Sequence, residues 1–271
     1  MRPNKIRALL NANRPTLGTH VHSIWPAVVE VVGHTGMFDY VEFVAEYAPF
    51  DLFALDNFCR AVELFDMSAM IKVDQEPRGF LAQRGIGAGF QSVLFADCRT
   101  LADAAACIQA VRAETPEAGG LHGVATRRNV YMSYGGTPEY VRAMDDIVIA
   151  LMIEKKSAVD HLEEILSLKG VDMIQWGPAD YAMSIGRPGA WYEPDVRAVE
   201  VRVINTCLKM GVPVRAEIES VDQAKYYLDL GVRHFCIGTD IRILFQWLRH
   251  NGEQMQQVIS EFGTATSEGQ R

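Results

Sequence analysis

Ile147-Val148-Ile149-Ala150-Leu151-Met152-Ile153-Glu154 and Val171-Asp172-Met173-Ile174-Gln175-Trp176-Gly177-Pro178-Ala179-Asp180 are two apolar runs that each close on a carboxylate. Both read as buried strands, and strands that follow one another can bring their tips to one point. An apolar interior does not solvate a carboxylate, so a charge at the tip needs a metal, a partner or water. Two carboxylates with the remaining positions open suit Mg²⁺ or Mn²⁺.

Similar runs recur along the chain. Strands are expected near Leu17–His22, Tyr40–Ala45, Met70–Asp74, Ser92–Asp97, Ile147–Glu154, Met173–Gly177, Val214–Ile218 and His234–Gly238. Helical patterns fall between them, at Thr100–Glu114, Ala158–Leu168, Pro194–Met210 and Val221–Leu230. Strand then helix, repeated about eight times at roughly 30 residues per unit, predicts an α/β fold of the (β/α)₈ TIM-barrel type. A doubly wound sheet competes, but no glycine-rich GxGxxG turn follows the first strand. Gly170, Gly211 and Gly231 each suit the end of a helix just before a strand. Long Gly- and Pro-rich connections stand at Thr115–Pro138 and Ile185–Pro194, near the strand ends where barrel chemistry sits. The reading is a single domain over residues 1–262 and a flexible tail over 263–271.

The chain has 271 residues, 49% hydrophobic and 22% charged, which is ordinary for one large globular domain. A formal net charge of −8 argues against nucleic acid or an anionic membrane as partner. It does not exclude an anionic substrate, because a metal and a few cations can reverse the field inside a cleft. The cysteines Cys59, Cys98, Cys107, Cys207 and Cys236 are scattered and odd in number, as expected of reduced thiols in a cytoplasmic protein. No signal core follows Met1, and no run reaches the roughly 18 apolar residues of a membrane span.

Each strand end offers candidates. His20 and His22 lie two apart on the first strand, hence on one face. Glu46 and Tyr47 follow the second. Lys72 sits within the third, where an ammonium needs an anion; a carboxylate or enolate would serve, and a Schiff base is a further role. Asp97 ends the fourth, either as an acceptor that supports a site residue or, more plainly, as the cap of the next helix. In Gly177-Pro178-Ala179-Asp180 small residues let a ligand approach the backbone, and the amides after Pro178 can face an anion. Arg215, Glu217 and Glu219 alternate onto one face of the seventh strand, as an ion-pair layer or part of the mouth, and receive no role.

Ile153-Glu154 followed by Gly-Pro-Ala-Asp resembles the HpcH/HpaI aldolase family of class II pyruvate-dependent aldolases. The resemblance extends through Leu9–Gly18, Phe38-Asp39-Tyr40, Glu46-x-Ala48-Pro49, Gly89-x-Gln91, Gly120-Leu121-His122-Gly123-Val124, Gly170-Val171-Asp172 and Val232–Asp240. It implies a TIM barrel whose C-terminal helix is exchanged between subunits of a homo-oligomer, a trimer or hexamer. It implies a divalent metal (Mg²⁺ or Mn²⁺, with Co²⁺ a further candidate) held by Glu154 and Asp180. A 2-oxo acid would chelate that metal, with its carboxylate on the amides of Ala179 and Asp180 in the Gly177–Asp180 turn. The reaction implied is cleavage of a 4-hydroxy-2-oxo acid to pyruvate and an aldehyde through a metal-stabilised enolate.

The chain departs from the family pattern around its acid–base machinery. The family motif Asp-Gly-Glu-His-Ala-Pro is here Val44-Ala45-Glu46-Tyr47-Ala48-Pro49, so Tyr47 replaces the histidine base and Val44 its aspartate. Lys72 replaces an arginine, Gly87 a second aspartate and Met152 a glutamine. The expected catalytic set is therefore Lys72, His20, Tyr47 and Glu46, with His20 as substitute base because its ordinary pKa suits proton transfer near neutrality. Two alternatives stand beside the lyase: a decarboxylase of an oxaloacetate-like acid, which needs no base for a hydroxyl proton, and a non-catalytic barrel that binds metal and keto acid.

Overall fold

The structure is a computed structural model that describes residues 2–124, 126 and 130–268. Eight parallel strands close into a barrel in chain order: β1 Thr16–Val21, β2 Tyr40–Val44, β3 Ser68–Val73, β4 Ser92–Phe95, β5 Val148–Ile153, β6 Met173–Trp176, β7 Val214–Ile218 and β8 His234–Thr239. The strands are those read from the sequence, with ends moved by one or two residues. Among the described residues the helices are α1 Lys5–Asn11, α2 Pro26–His34, α3 Leu52–Glu63, α4 Arg78–Ala88, α5 Leu101–Val111, α6 Pro138–Asp145, α7 Lys156–Asp160, α8 Leu162–Leu166, α9 Pro178–Ser184, α10 Pro194–Lys209, α11 Ala224–Asp229 and α12 Asp240–Glu268. The helix expected over Ala158–Leu168 is two short ones, because His161 between them leaves helical geometry at φ −110° and ψ 22°.

Alternation along each strand sorts the core into two layers. Phe43, Ile71, Val93, Ile149 and Ile174 face outward into the layer shared with the helices. Tyr40, Met70, Leu94, Ala150, Met152 and Met173 face inward and fill the lower barrel. Ile6 of α1 joins that inner group and is fully buried, so α1 plugs the end where the strands begin. Asn4 ties the plug down by donating to the carbonyls of Gln91 (2.7 Å) and Asp146 (2.8 Å), and Arg7 donates to Asp172 at 2.8 Å. With that end sealed, only the end where the strands finish is open to a ligand.

The chain finishes in α12, which runs through Glu268, past the Gly263 where the sequence predicts a flexible tail. Ile241, Leu244, Phe245, Trp247 and Leu248 on α12 are all exposed. No helix among the described residues is long and apolar enough to cross a membrane.

Candidate active site

The register of the strands assembles the barrel floor. Gly18 pairs with Tyr40 and His20 with Glu42 across β1 and β2, and Gln175 pairs with Arg215 across β6 and β7. Gly18 is required there: a Cβ would stand 2.2 Å from Cζ of Tyr40, whose ring crosses the barrel. The Tyr40 hydroxyl accepts from Arg215 Nε at 2.7 Å and donates to the Phe235 carbonyl at 3.1 Å.

Above Tyr40 the inward side chains close a ring. Arg215 is ion-paired with Glu42. Glu42 meets His20 Nε2 at 2.8 Å, and His20 Nδ1 meets Glu217 at 3.2 Å. Gln175 donates to Glu217 at 2.9 Å and accepts from Arg215. His20, Glu42, Gln175 and Arg215 are buried, while Glu217 reaches the open mouth. Two cations and two anions make the ring neutral. Burial works against the charge on His20, yet Cys236, Glu42 and Glu217 together carry its pKa well above 6.5. Glu217 is held down to about 2: burial opposes its charge, and His20 and Arg215 outweigh it. Cys236 also lies beside His20 and Glu42, but a dication there would face the imidazolium and the Arg215 guanidinium.

His20 therefore does not fit the role of base expected from the sequence. Both of its nitrogens face carboxylates, which leaves the charged form no lone pair for a substrate proton. Sequence reading missed Glu42 and Gln175 altogether. It noted Arg215 and Glu217 as an ion-pair layer or mouth, and they are both: the layer is the floor of the mouth. Glu219 lies beyond the strand and pairs outside it with Arg242.

The second constellation lies at the tips of β4, β5 and β6. Glu154 is buried, and one of its oxygens accepts from the Asp97 amide at 2.7 Å. Its other oxygen lies over Gly177, where a Cβ would come within 2.5 Å of it. Burial is the largest influence on Glu154 and lifts its pKa to about 7; nearby Asp180 adds to the rise, while the Asp97 amide, Lys72 and Lys155 oppose it. Lys155 Nζ bridges Asp97 (2.6 Å) and Asp180 (2.7 Å), and Arg99 touches Asp97 from the solvent side at 3.4 Å. Of the two roles open to Asp97, it takes the supporting one and not the cap. Thr100 caps α5 in a capping box with Asp103, and Asp97 supports Glu154 from a left-handed backbone at φ 55°.

Two carboxylates share one buried ammonium here, and a third, Glu154, is pushed toward neutrality by its surroundings. That donor set fits a hard divalent cation, which binds oxygen ligands and would hold Glu154 ionised. The first intrahelical bond of α9 runs from the Tyr181 amide to the Gly177 carbonyl. The amides of Ala179 and Asp180 stay outside that ladder, so they remain available to an anion.

The third group rims the mouth at β1–β3. Lys72 finds its anion within the chain: its Nζ lies 2.6 Å from Glu46. Burial alone would lower the Lys72 pKa, but Glu46 outweighs it and the pKa rises, so the free amine that a Schiff base requires is disfavoured. Tyr47 is 62% exposed, with its ring 5.8 Å from Lys72 Nζ and 5.1 Å from the His22 ring. Burial raises the Tyr47 pKa and Lys72 only partly offsets this, which makes the phenol a poor base at neutrality. Gly87 does not belong to this mouth; it lines a groove of about 360 Å³ on the outside of the barrel, with Asp56, Arg84 and His122.

With this geometry in view, a sequence profile of the HpcH/HpaI aldolase/citrate lyase family matches residues 17–245. The chain belongs to that family. It is 29% identical over 245 residues to the 5-keto-4-deoxy-D-glucarate aldolase of Klebsiella pneumoniae, covering 89% of this chain and 92% of that protein. A solved HpcH/HpaI aldolase/citrate lyase family protein from Burkholderia cenocepacia superposes with a TM-score of 0.83 at 26% identity, over 93% of this chain and 99% of that one. The fold is shared more distantly by the citrate lyase beta subunit of M. tuberculosis, solved with oxaloacetate and magnesium, at a TM-score of 0.56 and 10% identity over 85% and 93% of the two chains. As a member of this family the chain is an enzyme, a lyase of the aldolase type.

Glu42→Gln removes one anion from the buried ring and should cost about 3–5 kcal/mol of stability in urea denaturation; a loss under about 1 kcal/mol would show that the ring bears no load. Without metal, Glu154 holds its proton up to about pH 7 in the folded chain, against its ordinary 4.5. The folded state then binds more protons than the unfolded between those values, so stability falls as pH rises through them. Relative to Glu154→Gln, wild type in chelator should lose on the order of 3 kcal/mol between pH 4.5 and 7. Mg²⁺ or Mn²⁺ should reverse the loss at pH 8, and a difference that does not vary with pH would refute the penalty.

Proposed function

We propose that this lyase cleaves a 4-hydroxy-2-oxo acid to pyruvate and an aldehyde, and that Glu154 and Asp180 hold a divalent cation, Mg²⁺ or Mn²⁺, for that purpose. The observation that carries the reading is the buried Glu154 at the tip of β5, bonded to the Asp97 amide, with Asp97 and Asp180 joined across Lys155 beside it. A bound divalent cation would supply an electrophile for the carboxylate and 2-oxo oxygens of the substrate.

The chain's own residues do the rest. The free amides of Ala179 and Asp180, with Gly177 and Pro178 leaving the backbone open, receive the substrate carboxylate. Lys72 keeps its charge through Glu46 and stands on the β3 side of Glu154, where it stabilises negative charge that develops on the 2-oxo oxygen. Glu46 orients that ammonium. Tyr47, exposed at the rim, contacts the part of the substrate that leaves as aldehyde. The ring of Arg215, Glu42, His20, Glu217 and Gln175 forms a rigid neutral floor and takes no proton.

The test is pyruvate release, followed with lactate dehydrogenase, from a panel of 4-hydroxy-2-oxo acids in Mn²⁺. Lys72→Met should lower kcat by about 10²-fold or more through loss of the charge beside the oxyanion. Glu154→Ala should abolish calorimetric binding of oxalate with Mn²⁺. A chain that binds oxalate with Mn²⁺ but releases no pyruvate would be a binder and not the proposed enzyme. Decarboxylation of an oxaloacetate-like acid is the second reading, favoured by the fact that His20 is locked in the floor.

The exposed apolar residues of α12 support a homo-oligomer in which this helix packs against another copy. Phe245→Glu with Trp247→Glu should convert it to monomer in light scattering. A wild type that is already monomeric would end this proposal.

A further inference from the structure

Most ionisable groups at the mouth are already committed. His20 and Glu217 are locked into the floor ring, Lys72 and Glu46 hold each other, Lys155 bridges Asp97 and Asp180, and the Tyr47 phenol keeps its proton. His22 differs. It lies two residues beyond His20 on the same face, just past the end of β1 and therefore at the open end. Its backbone is pinned from the start of α12, where Asp240 accepts from the amides of His22 and Ser23, both at 2.9 Å. Its ring packs at right angles to Tyr47, the two planes at 89°. Its Nε2 is buried and meets neither donor nor acceptor. A buried polar atom without a partner is unfavourable, and a substrate hydroxyl would supply the partner.

We infer that His22 is the general base of the aldol cleavage, accepting the proton of the substrate's 4-hydroxyl on Nε2. The inference rests on the aldolase reading above. The steps balance. Nε2 takes the hydroxyl proton, the C4–O bond becomes the aldehyde carbonyl, the C3–C4 bond breaks, and its electron pair forms the C2–C3 double bond of the enolate. The imidazolium then returns its proton to C3, giving pyruvate and restoring neutral His22.

The surroundings keep the imidazole ready for this. Burial lowers its pKa, and the cations of His20 and Lys72 lower it further, against Asp240 and Glu217; Tyr47 packs on it without charge. A neutral ring with a free lone pair is what a base needs at pH 7. His20 contributes indirectly, since its fixed charge helps keep His22 unprotonated.

The experiment uses the full-length protein with Mn²⁺ and two substrates, 4-hydroxy-2-oxopentanoate and oxaloacetate. Decarboxylation of the second requires no hydroxyl proton to be removed. His22→Gln should lower the ratio of aldol cleavage to decarboxylation by about 10²-fold or more. The acid limb of the kcat/KM profile, set below pH 6.5 in wild type, should vanish in the variant. His22→Ala should regain aldol cleavage with added imidazole, which a purely structural role would not produce, and thermal melts of both variants establish that they fold. A His22→Gln ratio within about threefold of wild type, or an unchanged acid limb, overturns the assignment of the base. A wild type that decarboxylates oxaloacetate yet cleaves no hydroxy acid instead overturns the aldolase reading, so the two failures are distinguishable.

Discussion

Ionised side chains inside a closed barrel must balance one another, and on the floor of this one they do. Arg215 and His20 face Glu42 and Glu217, with Gln175 completing the ring and Tyr40 supporting it from below. Breaking any link would leave a charge in a space that water does not fill. That constraint makes the floor rigid and removes His20 from proton transfer. Chemistry has to come from groups that stand above the ring and outside its balance.

The corner at β4–β6 is the opposite case. Asp97 and Asp180 pair with the buried ammonium of Lys155, while Glu154 has no such pair, and its burial, with Asp180 adding, moves it toward its neutral form. Surplus negative charge on oxygen ligands at a strand end is what a hard cation requires. Gly177 belongs to the same arrangement, because any side chain there would collide with the Glu154 carboxylate. One barrel thus holds two buried polar clusters, one closed on itself and one left open to a ligand.

Much of this was legible along the chain. Apolar runs that end in Glu154 and Asp180 marked both the strands and the acidic pair, because a strand's period and its charged tip are local properties. Lys72 was legible as a lysine in need of an anion. The anion, Glu46, lies within the chain, and proximity in sequence does not reveal that pairing. Asp97 looked like a helix cap by position, since Thr100 and Asp97 are alike to a reader of spacing. Its amide and carboxylate turn to Glu154 and Lys155 only once β4 and β5 lie side by side.

The sequence by itself determined the barrel and the carboxylates that mark its mouth, because hydrophobic period and strand-end chemistry are written residue by residue. Only the tertiary structure decided which histidine is spent. His20 and His22 share a face and differ by two positions, and no local signal separates them. The register of β1 against β2 sets His20 beside Glu42, and closure of the barrel brings Glu217 to its other nitrogen, while His22 rises past the ring with Nε2 unpartnered. Arg215 and Glu217 meet His20 from nearly 200 positions away, and charge balance among them exists only after the barrel has closed.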